Sequence, residues 1–279
     1  MVQFLWHHRR EIISARNFFS FLNATDVIDV HSWNIAVGNF FFHYRNALFP
    51  VILTAGALLL QPQIMFDSLI ADRILGILGA AVALLGEAVR IITIGFEYIH
   101  RGGKDGQVYA GRLVRRGVYG ITRNPMYVGN ALIMIGMIVL FGSPWGYFIL
   151  IPFFLFVYQS IVAAEENYLR SKFGGEYHDY ESAVGRYLPT LSRVAESFSG
   201  MRFNWRRIVR QEMGTVVGLT IGFILIPVWR TYYLNGIEPS KAAAARAFWL
   251  CLGVLVIYFF LKRLKKSKKL FNKSASLQN

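Results

Sequence analysis

The sequence predicts an all-α, polytopic integral membrane protein with about six transmembrane helices and a helical hairpin that carries a polar site. Three observations predict this class. Of 279 residues, 54% are hydrophobic and only 16% charged, and mean hydropathy is +0.39, too apolar for an ordinary soluble domain. Several runs approach the roughly 20 apolar residues that cross a bilayer. The basic residues also segregate. Residues 1–46, 97–127, 164–211 and 262–279 hold 4, 6, 8 and 7 Lys and Arg, whereas 62–73 and 230–246 hold 1 and 3. That bias is the positive-inside pattern of an even number of spans with both termini cytoplasmic, in a membrane such as the bacterial inner membrane. It accounts for the formal net charge of +14, so no nucleic-acid partner is expected.

In chain order, Met1 to Arg10 lack the long apolar core of a secretory signal. Residues 11–46 mix aromatic, His and Arg residues, as a segment lying along the bilayer surface or an irregular terminus would. Six spans follow, at 47–66, 74–96, 128–142, 146–163, 212–229 and 245–261. Pro125 sits at the entrance of the third, where a missing N–H costs nothing. Residues 101–111 are glycine-rich, either a flexible loop or one whose backbone approaches a ligand closely. Met201 to Arg207 alternates aromatic and basic residues, as an interfacial helix does. Lys262 to Lys269 is a basic cluster, an orientation signal that also suits anionic membrane lipids. The organisation expected is an N-terminal interfacial segment and first span (1–73), a core (74–189), and a C-terminal connector, two spans and tail (190–279). Cys251 is the one cysteine, so no intrachain disulfide forms, and the six histidines do not cluster as metal ligands.

The chemistry-bearing residues gather at the ends of the third and fourth spans. Arg123-Asn124-Pro125-Met126-Tyr127 precedes the hairpin, and Glu165-Glu166 follows it. Carboxylates that end an apolar span tend to be functional, because hydrocarbon rejects them. Tyr177 and Tyr180 share one helix face at i, i+3. That face either covers a ligand or packs at the interface. His178, between them, is either a base or a surface residue. Glu87 and Arg90 lie inside the second span, where a mutual pair or a polar cavity is expected.

These residues resemble the isoprenylcysteine carboxyl methyltransferase and phospholipid methyltransferase superfamily, over roughly residues 86–189. That family pairs Arg-His-Pro-x-Tyr with a downstream Glu-Glu across a transmembrane hairpin. Asn124 stands at the histidine position here, so its expected role is hydrogen bonding rather than proton transfer. The resemblance implies S-adenosylmethionine as cofactor and a lipid or lipid-linked acceptor as partner, with no metal. It implies cofactor binding by Arg123, Asn124, Tyr127, Glu165, Glu166 and Tyr177. Glu166, Arg186 and Arg90 are the expected catalytic residues. An arginine fork matches the cofactor carboxylate, and glutamates suit its diol or ammonium.

Two other functions remain open on the sequence. One is a nicotinamide-dependent membrane reductase of the sterol reductase type, although no dinucleotide glycine fingerprint follows a strand. The other is a non-enzymatic lipid-binding or transport protein. For the methyltransferase, a lipid acceptor is expected to arrive laterally through a gap between the second and fourth spans near Glu87 and Arg90, a route that tryptophan at Ala83 or Leu84 would block.

Overall fold

The structure is a computed structural model that describes residues 30–97 and 111–266. The expectations for residues 1–29, for most of the glycine-rich segment and for the tail past 266 fall outside these. Among the described residues the fold is all helical, with one isolated β-bridge between Thr122 and Gly185.

Helix α1, Val30–Leu59, lies along the later helix α4. Its Phe42 packs on Val157 and Ile161, and its Phe49 on Phe154 and Tyr158. Helix α2, Leu69–Phe96, is started by Ser68, whose hydroxyl accepts from the Ala71 N–H at 3.3 Å. That bond satisfies one of the four donors a helix start leaves open. Helix α3, Pro125–Phe141, runs back along α2. The two approach at small residues. A Cβ on Gly86 would lie 2.6 Å from the Gly129 carbonyl oxygen, and one on Gly136 would lie 2.4 Å from the Gly79 oxygen. Close backbone contact over small residues is how helices associate in lipid, where apolar burial gives little drive.

A π-helical turn, Gly146–Leu150, leads into α4, Ile151–Phe173, as one continuous helix. Then come the short helices α5 (Gly175–Ala183), α6 (Val194–Phe198) and α7 (Trp205–Gln211). Helices α8 (Met213–Asn235) and α9 (Ile237–Lys266) end the described chain and pack mainly on each other. Large apolar side chains such as Phe248, Trp249, Phe259 and Phe260 stand exposed on α9, a surface suited to lipid and not to water.

Among the described residues, four helices are long and apolar enough to cross a membrane: Leu69–Phe96, Gly146–Phe173, Met213–Asn235 and Ile237–Leu264, with Pro125–Phe141 a shorter apolar one. The expected span at 47–66 is instead the second half of α1, which ends at Leu59. Gln61 and Pro62 follow it, and His43, Arg45 and Asn46 interrupt its apolar run.

At the end of the bundle far from Glu166, a polar clamp ties α8 to the core. Arg230 donates to both Asp72 oxygens at 2.7 and 2.6 Å, and to the last carbonyls of α3, Leu140 and Phe141, at 3.3 and 3.1 Å. The guanidinium covers Gly142, which has φ 73° and no room for a side chain, since a Cβ would lie 1.4 Å from Arg230 Nη1. Glycine meets both demands.

Candidate functional site

The start of α3 is held by a return segment, residues 185–190. Arg123 N donates to the Gly185 oxygen at 2.9 Å, Thr190 N to the Ile121 oxygen at 2.7 Å, and Thr122 Oγ1 to the Tyr187 oxygen at 3.2 Å. Asn124 occupies the cap position of α3 but does not cap it with its side chain. Its amide donates instead to Glu166 Oε1 at 2.8 Å and to the Arg186 oxygen at 3.3 Å.

Glu166 is 1% exposed and sits among three guanidiniums. Arg186 Nη2 is 3.0 Å from Oε2, Arg123 Nε is 3.5 Å from Oε1, and Arg170 Nη2 is 3.8 Å from Oε2. Arg123 and Arg170 also share Glu181, at 2.8 and 2.6 Å. The bidentate bond from Arg170 is the main cause that holds the Glu181 carboxyl down at about 2, against its ordinary 4.5. A buried carboxylate is tolerable only when paired and hydrogen-bonded in this way. The knot joins α3, α4, α5 and the return segment. The Tyr187 phenol beside it is raised above its ordinary value, chiefly by burial.

Next to this knot lies a chamber of about 400 Å³, within the size range of small-molecule sites. Its walls are Arg45, Asn46 and Phe49 of α1, Arg90, Thr93 and Ile94 of α2, and Tyr127 and Asn130 of α3. Tyr158 and Glu165 of α4 and Glu212 at the start of α8 complete them, with Glu97, Tyr119, Asn124 and Met126 toward the connecting loops. Tyr127 donates its hydroxyl to Glu165 Oε1 at 2.7 Å. Arg90 is fixed by a fork to Glu212, at 2.6 and 2.9 Å, and also donates to Asn130 and to Thr215 Oγ1 at 3.2 Å. The chamber therefore presents carboxylates, guanidiniums, amides and aromatic faces together at the end of a hydrophobic bundle.

The structure sorts the sequence-derived residues into two groups. Asn124, Tyr127, Glu165 and Arg90 line the chamber. Glu166, Arg123 and Arg186 form the knot beside it, and Asn124 belongs to both. Tyr177 and Tyr180 do share a face of α5, but they pack in a core with Leu169 and Val184, and Tyr180 donates to the Tyr119 carbonyl at 2.7 Å. His178 is exposed. Glu87 and Arg90 do not pair with each other, because Arg90 turns to Glu212. Both Glu87 oxygens are buried without a hydrogen bond. The second and fourth spans, between which a lateral gap is expected, both border the chamber, at Arg90 and at Tyr158 and Glu165, but Ala83 is not part of its wall. Helix α3 packs on both α2 and α4, and Ala83 is wholly buried against Gly136. Asn46 is exposed while it lines the chamber, so the chamber reaches the surface along α1.

The description of the phospholipid methyltransferase family matches residues 72–176. The chain is 26% identical over 190 residues to the protein-S-isoprenylcysteine O-methyltransferase of Saccharomyces cerevisiae, covering 64% of this chain and 78% of that one. It is 38% identical over 63 residues to an uncharacterized protein of Haemophilus influenzae, 23% of this chain and all of that one. The chain is thus similar, over these stretches, to the isoprenylcysteine and phospholipid methyltransferase superfamily. No solved structure matches it.

The matched region, residues 72–176, contains both the chamber's α2–α4 wall and Glu165-Glu166. Sequence reasoning missed Arg45, Asn46, Asn130, Tyr158 and Glu212. Arg45 and Asn46 carried a readable signal, polar residues inside an otherwise apolar run. Glu212 carried none, because its partner Arg90 is 122 residues away.

Proposed function

We propose that the protein is an S-adenosylmethionine-dependent methyltransferase acting on a lipid or lipid-linked acceptor at the membrane surface. The observation that carries this reading is a chamber of cofactor size, with polar groups of both signs and aromatic walls, at the end of apolar helices in a chain similar to this superfamily. The donor set fits such a cofactor. Glu165 and Glu97 suit a diol or an ammonium, Asn124 offers an amide, and Tyr119 and Met126 offer an apolar wall.

Asn124, Tyr127 and Glu165 would hold the cofactor. When bound, it supplies an electrophilic methyl group, so the main tasks left to the protein are positioning and exclusion of water. Glu166, Arg123 and Arg186 act one step back, by holding Asn124 and the return segment in place. Tyr127 orients Glu165 through its 2.7 Å hydrogen bond. Arg90, locked by Glu212, presents a fixed positive charge to the acceptor side of the chamber. A carboxylate acceptor needs no base. An amine or thiol would lose its proton to water or to Glu165.

Calorimetric titration of the purified full chain with S-adenosylmethionine and with NADPH tests the reading. Saturable binding of the first alone is expected. Binding of NADPH alone would support a reductase, and binding of neither would support a non-enzymatic role.

A further inference from the structure

Glu87 sits on α2 one turn before Arg90. It is 5% exposed, and neither of its carboxyl oxygens has a hydrogen-bond partner. The charges that act on it are those of Glu212 and Arg90. A buried carboxyl left unsatisfied is costly, the more so inside a membrane span. Glu87 does not line the chamber, whereas Arg90 and Glu212 both do.

Arg90 is held mainly by the start of α8. Of the four hydrogen bonds it donates among the described residues, two go to Glu212, one to Thr215 and one to Asn130 of α3. Helix α8 itself lies shallowly on the core. Leu219 is its one buried residue, and ion pairs tie it near both ends, Glu212 to Arg90 and Arg230 to Asp72. An element with so few buried apolar contacts belongs to the less stable part of a fold. If the start of α8 lifts, Arg90 loses its anion and three of its bonds together. One turn back on its own helix stands Glu87, with the acidic residue N-terminal to the basic one, the favourable order for such a pair.

We propose that Arg90 has two seats, the observed one on Glu212 in the chamber wall and a second on Glu87 outside it, and that the docking of α8 selects between them. Glu212 is then a positioning residue for Arg90, and Glu87 is the carboxyl that receives the guanidinium when α8 is released. In the second seat the chamber loses one of its two arginines, Arg45 being the other. The C-terminal helix pair thereby sets the charge of a wall to which it contributes little surface. Two discrete seats for one side chain make a bistable element that docking can bias. The inference concerns the wall itself and holds whatever the chamber binds.

The test is a mutant cycle on the full chain in a neutral detergent, read as thermal unfolding midpoints. Glu87→Met should leave the midpoint unchanged or raise it, because it removes two unsatisfied oxygens at similar volume. Glu212→Met should lower it modestly, because Arg90 turns to Glu87. The double variant should fall by clearly more than the sum of the two shifts, because Arg90 then has neither anion, and residues that share a partner are not additive. Asp72→Asn is the control. It opens the ion pair at the other end of α8, out of reach of Glu87, so its shift should simply add to that of Glu87→Met. A crystal structure of Glu212→Met should show the Arg90 guanidinium within hydrogen-bond reach of Glu87. If the double variant yields no folded protein, Thr215→Val replaces Glu212→Met and reads the same cycle through a milder loss. An additive cycle, or an Arg90 that stays in the chamber wall without Glu212, overturns the second seat. So does a Glu212→Met chain that fails to fold, since Glu87 should rescue it. No methyl donor enters the measurement, so a failure here is distinct from a failure of the methyltransferase reading, which the S-adenosylmethionine titration judges by itself.

Discussion

Adjacent residues on a helix diverge by about 100° around its axis, and Glu165 and Glu166 show what that separates. One carboxylate meets the Tyr127 hydroxyl in the chamber, and the other meets Asn124 and the arginines of the knot. Their mutants should therefore fail differently. Glu165→Gln should weaken S-adenosylmethionine about tenfold or more, the loss expected for a hydrogen bond to a charged group worth about 1.5–3 kcal/mol, with little change in the unfolding midpoint. Calorimetry and thermal unfolding on the same sample check both halves. Glu166→Gln should instead lower stability by about 3 kcal/mol, because it leaves Arg123 and Arg186 without their shared buried anion. If Glu166→Gln unfolds at the wild-type temperature, the knot does not hold the site. These roles were only half legible in the sequence. Two glutamates at a span's end marked the region, but which faced a ligand depended on helix phase relative to α3.

At the scale of elements, two junctions carry testable loads. The first is α5 on α4, fastened by Arg170 to Glu181 at 3.0 and 2.6 Å. The folded pKa of Glu181 is depressed, so its stabilisation is complete above about pH 4.5 and is lost as pH falls toward 2. The gap in unfolding midpoint between wild type and Glu181→Gln should therefore shrink as pH is lowered from about 6 to about 3. A gap that stays constant would mean the pair contributes nothing in its charged form. The second junction is α2 on α3. Gly86→Ala forces a Cβ to 2.6 Å from the Gly129 oxygen, and such overpacking should cost about 1–3 kcal/mol. Gly253→Ala on α9, where nothing lies within 4 Å, is the control and should leave the midpoint unchanged or raise it. The hydropathy pattern located α2, α3, α4, α8 and α9 well, because lipid-facing helices need long apolar runs. It misplaced the first span, since α1 extends through the polar stretch at 43–46 by packing Phe42 and Phe49 on α4.

For the whole molecule, the arrangement divides labour between two helix pairs. The α2–α3 pair, packed through glycines, and the α1–α4 pair, packed through aromatic residues, enclose the chamber between them. The sequence placed the site at the hairpin's polar ends. It did not show that α1 and the start of α8 complete the walls, because such long-range pairings leave no local pattern. Ala83 does not border the chamber, because α3 presses against it at Gly136. The chamber instead reaches the surface along α1, past the exposed Asn46.

The central claim is methyl transfer from S-adenosylmethionine to a membrane-borne acceptor. Its most direct measurement incubates the full chain, in membranes of the cell that expresses it, with donor labelled in the methyl group, and then separates lipid from aqueous products. The account expects label in the lipid phase with the wild type and at least about tenfold less with Glu165→Gln at limiting donor. A wild type that binds the donor yet leaves all label in the aqueous phase, or labels lipid equally well without Glu165, would contradict it.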